Sequence, residues 1–179
     1  MSKRRGGRKR GPARVVRRPV RPVMPAAPVV EESDGWVPPT RLVMMGPVHA
    51  AGRVRRQLED QVVLLVNQAR RRAGIAELRP DERLRASARG HCERMATLDF
   101  FAHEDPDGSG PAQRMRAAGY SAPGAENIAS GQREAVSVMR AWMNSPGHRA
   151  NIVNPRFVTI GVGVDVRAGG PWWTQHFGY

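Results

Sequence analysis

The segment Thr159-Ile160-Gly161-Val162-Gly163-Val164-Asp165-Val166 alternates apolar residues, mostly β-branched, with small or polar ones. A period of two over eight residues specifies a strand, and its two glycines suit close approach by a neighbouring backbone. Residues 172–177 (WWTQHF) form the natural hairpin partner across the turn Arg167-Ala168-Gly169-Gly170-Pro171. The end of the chain therefore demands a sheet, and the segments before it must supply the layers that cover it.

Those segments have helical periods. Val54, Leu58, Val62, Leu65, Val66 and Ala69 recur at spacings of three and four, with Arg55, Arg56, Glu59 and Arg70 off the stripe. Gly74 ends this helix. A second opens at Pro80-Asp81-Glu82, where acids favour the first turn, and Leu84, Ala88, Cys92 and Met95 form its inner face. A third is expected over 111–118 and a fourth over 134–144, broken by Pro146-Gly147. With a short strand at 125–130, the expectation is an α+β fold: about four helices flanking a small antiparallel sheet.

Charge divides the chain. Of 29 Lys and Arg, 14 fall in residues 1–56 beside three acids, whereas the rest of the chain is nearly balanced. Residues 1–50 are expected to be a disordered, Pro- and Arg-rich arm and linker, and residues 51–179 the domain. The arm suits non-specific contact with polyanions. No aromatic residue interleaves its arginines, which argues against sequence-specific nucleic-acid recognition. It has no apolar run like that of an ordinary secretory signal, and no segment approaches transmembrane length. Cys92 is the single cysteine, so an intramolecular disulfide is excluded.

Three ionisable residues stand in motif-like surroundings: His103 in FFAHEDPDG, Glu126 in GAENIA and His148 in SPGHRANI. No local metal knuckle joins them, so a shared site must be assembled by the fold. The structural alternative has the histidines as hydrogen-bond bridges and Glu126 as a cap for the SPGHRANI segment. Elsewhere, Ser145 reads as a helix-end residue, His91 and His176 as structural, and Arg114 and Arg116 as a solvated helix face. Asn127, Asn151 and Asn154 are expected at turns.

The run FFAH…DPDG…RMRAAGY…GAENIA…AWMNSPGHRANI…GVGV…WTQHFG over roughly residues 57–179 resembles the bacterial branch of the CAP (SCP-like) superfamily. This superfamily also includes plant pathogenesis-related class 1 proteins and venom allergens. The resemblance implies an α-β-α sandwich with a central cleft, where two histidines can hold zinc or another divalent metal. His103 and His148 match the histidines and Glu126 matches one of two acids. The second acid has no counterpart, because Ser145 occupies its position; Glu104, Asp105 and Asp107 are nearby substitutes. The resemblance implies an extracellular or envelope-associated binding module for a protein, lipid or cell-wall polymer, and a monomer is expected. The alternative activity is a metal-assisted hydrolase of peptide or ester bonds, with Glu126 as the catalytic residue. The missing signal leaves a cytoplasmic location as the alternative.

Overall fold

The computed structural model describes residues 51–167 and 169–179; the basic arm assigned to residues 1–50 lies outside the described residues. Along the chain run α1 (Ala51–Arg72), β1 (Arg79–Pro80), α2 (Glu82–Leu98), α3 (Pro111–Ala117), β2 (Pro123–Ser130), α4 (Ala135–Met143), α5 (Pro146–Ile152), β3 (Thr159–Asp165) and β4 (Trp172–Gly178). The fold class is the expected α+β. Two details differ. There is a fifth helix, because Pro146 both follows the end of α4 and opens α5, where its fixed φ and missing N–H cost nothing. The sheet is also mixed rather than purely antiparallel. Its order is β1-β3-β4-β2, and the two-residue β1 pairs parallel to β3 through Arg79↔Thr159 and Pro80↔Ile160.

Local chemistry accounts for the boundaries. Gly74 takes the left-handed conformation, φ 72°, just beyond α1. The Asp81 carboxylate caps α2 by accepting from the backbone N–H of Arg83 at 2.9 Å and of Leu84 at 3.3 Å.

Register assigns the faces. Glu126, His176 and Gly161 stand side by side on β2, β4 and β3. A Cβ at Gly161 would lie 2.2 Å from the backbone of Arg85 and Leu84, and one at Gly163 would lie 2.4 Å from Arg89 N. Helix α2 therefore rests directly on this face, as the glycine alternation anticipated, and α3 packs beside it through Met115, Leu84 and Tyr120. The next row, Asn127, Gln175 and Val162, points the other way. Helices α1, α4 and α5 form the layer on that side.

Two side chains expected off the α1 stripe are fully buried. Glu59 accepts from Arg85 Nη1 at 3.2 Å and from Arg89 Nε at 2.8 Å, so its charge is neutralised by α2. Arg70 is surrounded by carbonyl oxygens. Periodicity assigned both to the surface because it scores side chains by type and not by the partners that await them. Among the described residues, no helix is long and apolar enough to cross a membrane.

Candidate functional site

Strand β2 lies at the sheet edge and carries Glu126 on the α2 side. Its carboxylate is buried, with both oxygens in use. Oε1 accepts from His103 Nδ1 at 2.7 Å, and Oε2 accepts from His176 Nε2 at 2.7 Å and Arg114 Nη2 at 2.8 Å. Burial pushes the Glu126 pKa up, but the bonds from His103 and His176 outweigh it and hold the group down to about 2. Glu126 is thus a fixed anion, and its side chain does not cap the SPGHRANI helix.

His103 comes from the irregular segment between α2 and α3, and its side chain is half exposed. With a carboxylate as acceptor, Nδ1 carries the proton and Nε2 is left for a ligand. The bond to Glu126 raises the His103 pKa, with burial and Arg114 opposing.

His148 reaches the same edge from the other layer. It sits in α5, a helix fastened to the opposite face by a chain of amides. Asn127 Nδ2 donates to the His148 carbonyl at 3.1 Å, and Asn151 Nδ2 donates to Asn127 Oδ1 at 2.8 Å. Burial lowers the His148 pKa, and the neighbouring charge of His103 lowers it further. The fold therefore brings His103 and Glu126 into direct contact and places His148 within electrostatic reach of His103.

As a metal centre the set is incomplete. Among the described residues, no three His, Cys, Asp or Glu side chains converge as metal ligands. Both Glu126 oxygens are already engaged by His103, His176 and Arg114, which leaves the two imidazoles as the available donors. Two of the three substitute carboxylates are engaged elsewhere. Asp105 bonds His91 Nδ1 at 2.9 Å and pairs with Arg94 at 2.7 Å, while Asp107 pairs with Arg94 at 2.7 Å.

Several further residues bear on Glu126. His176 and His91, read as structural, are fully buried hydrogen-bonders; His176 bonds Glu126, and His91 Nε2 lies 3.8 Å from it. Arg114 was assigned to a solvated face, yet only 9% of its side chain is exposed. Asn127 and Asn151, expected at turns, lie in β2 and α5. The alternation of WWTQHF could have put His176 and Glu126 on one face had the β2–β4 register been known. Ser145 does stand at a helix end, at the N-cap of α5.

Comparison with known proteins agrees with this architecture. The profile of the cysteine-rich secretory protein family, CAP, matches residues 63–177. The Bacillus subtilis (strain 168) protein YkwD, itself uncharacterized, is 43% identical over 121 residues, which is 67% of this chain and 47% of that protein. The crystal structure of an extracellular protein containing an SCP domain, from Bacillus anthracis, matches with TM-score 0.68 at 28% identity, covering 75% of this chain and 45% of that one. This chain spans less than half the length of either relative. An outer surface protein from Borrelia burgdorferi shares the fold, with TM-score 0.61 at 23% identity over 66% of this chain and 90% of that one.

Proposed function

The chain belongs to the CAP, or cysteine-rich secretory protein, family, and from that premise we propose that it is a binding module of the cell envelope or exterior whose ligand-facing surface is formed by His103 and His148, with the buried Glu126 behind His103. The observation that carries this reading is the 2.7 Å bond between His103 Nδ1 and a buried, fully engaged Glu126. It fixes the tautomer and direction of a half-exposed ring beside a second histidine. Such a ring is prepared to accept a hydrogen bond or bind a cation, and the carboxylate behind it strengthens its basicity. The extracellular description of the Bacillus anthracis relative supports a location outside the cytoplasm. Its ligand belongs to the proteins, lipids or polymers of that compartment, and the domain acts as a monomer.

A divalent ion such as zinc would be held by His103 and His148, with Glu126 orienting His103 from behind. When bound, such an ion supplies Lewis acidity toward a carbonyl or phosphoryl oxygen. Two protein ligands leave most of its coordination to water or to the incoming ligand, which suits reversible binding better than a resident structural ion.

The second reading, a metal-assisted hydrolase of peptide or ester bonds, is favoured by the same His103–Glu126 pair. A buried carboxylate behind a metal-binding imidazole raises that ligand's basicity, and an ion held by such a ring would polarise water or a substrate carbonyl. That reading requires metal-dependent turnover that is lost in Glu126→Gln.

Calorimetric zinc titration of the full chain, beside the His103→Ala/His148→Ala double variant, tests the proposal. The expected result is binding in the wild type and none in the variant. A panel of envelope ligands screened against both proteins extends the test. A partner that binds the double variant as tightly as the wild type would remove this surface from the function.

A further inference from the structure

The guanidinium of Arg114 ties together segments that would otherwise move separately. It projects from α3, a helix of seven residues. Nη2 donates both to the backbone carbonyl of His103 and to Glu126 Oε2, each at 2.8 Å. Nη1 donates to the Ser109 carbonyl at 2.6 Å and lies 3.4 Å from Asp105 Oδ1. Asp105 is held in turn by His91 and Arg94 of α2. One side chain thus joins the backbone of the residue that faces the ligand, the acceptor that orients its ring and the far end of the segment that carries it.

We infer that Arg114 is a positioning residue for His103, fixing the backbone of that residue and the carboxylate that orients its ring relative to one another. Residues 99–110 form neither helix nor strand, so ladder hydrogen bonds do not fix the path of this segment. A ring on such a segment samples several rotamers unless backbone and acceptor are held together, and holding them costs side-chain and backbone entropy. Arg114 meets that cost once, because its planar fork presents several donors in fixed directions. A lysine at this position reaches one of these acceptors at a time. An exposed ion pair would contribute little; here the side chain is 91% buried and two of its contacts are backbone carbonyls, which do not titrate.

The inference rests on His103 being the ligand-facing group, and the experiment separates the two claims. Full-length Arg114→Lys and Arg114→Gln are compared with wild type above the titration of His103. Three quantities are read: the ring ¹⁵N shifts of His103, amide exchange at Asp105 and Gly108, and zinc affinity. Retained protection in β3 and β4 establishes that a variant is folded. In a folded variant, His103 is expected to change from the single Nδ1–H tautomer to a mixture. Protection at Asp105 and Gly108 should fall tenfold or more, and zinc affinity should fall by about 10–100-fold. A folded variant whose His103 keeps the wild-type tautomer and protection overturns the inference. A tautomer change in a protein whose wild type binds no zinc and no partner at this surface supports the role of Arg114 and overturns the functional reading. The wild type alone supplies a further check that needs no variant. Arg114 Nη protons held by these acceptors give separate, slowly exchanging signals, and averaged signals would overturn the inference.

Discussion

Arg70 in α1 and Ile152 at the end of α5 are joined by a buried hydrogen bond, Nη1 to carbonyl oxygen, at 2.9 Å. The same guanidinium donates to the carbonyls of Ala76, Asn154 and Phe157, at 2.7, 2.8 and 3.2 Å. No carboxylate shares this site among the described contacts; the cation is solvated by the chain itself, and burial lowers its pKa. Arg70→Met is expected to cost about 3 kcal/mol or more, since several buried acceptors lose their donor together. Urea unfolding gives the magnitude, and faster amide exchange in α5 would locate the damage in the helix that carries His148.

Two glycines of different surroundings should respond in opposite senses to alanine. At Gly161 the added methyl would meet α2 backbone at 2.2 Å, which no rotamer change relieves. Gly161→Ala is expected to destabilise by about 3 kcal/mol or to prevent soluble expression. Gly90 lies inside α2 with open space around its Cβ direction. Gly90→Ala should stabilise by about 0.5–1 kcal/mol. Thermal unfolding of the two variants checks both signs.

Cys92 should be inert in the folded protein. Its side chain is fully buried, burial pushes the thiol pKa far up, and Sγ bonds Thr174 Oγ1 at 3.2 Å. An Ellman titration should find no reactive thiol at neutral pH and one after denaturation. Rapid labelling of the native protein would contradict this packing.

Acid should weaken the fold through identifiable carboxylates. Bonding from Arg83, aided by backbone amides, holds Asp81 below its usual range. Burial raises Asp165, but Arg167 outweighs it and the net shift is downward. A carboxyl lowered by folding contributes stability that is complete above its unfolded pKa and disappears as pH falls through the folded value. The carboxyl contribution to the urea midpoint should therefore hold from pH 7 to about 5 and decline below pH 4. It comes on top of a loss between pH 7 and about 5 as His91 and His148, whose pKa values burial lowers, take up protons. Asp165→Asn should start from a lower midpoint and decline less steeply over the acid range.

The secondary structure was legible because each element carries a local signal. The glycine alternation of 159–166 forecast a strand lying against backbone, and Gly161 and Gly163 lie directly under α2. His103, Glu126 and His148 were legible as motif residues. Their supports were not, because His176 and Arg114 join Glu126 only through β2–β4 register and the packing of α3 on α2. Glu59 and Arg70 were misassigned for the same reason. A charged residue becomes an interior one when distant partners compensate it, and no window along the sequence contains those partners.

The layered placement of the two histidines has a kinetic consequence. His103 depends on the packing of α2 and α3 on one face of the sheet, and His148 depends on α5 being fastened to Asn127 on the other. Neither half of the molecule contains the pair. A chain emerging from synthesis has no two-histidine surface until both layers have docked on β2. Any ligand that requires both rings therefore discriminates the finished protein from every partly assembled one.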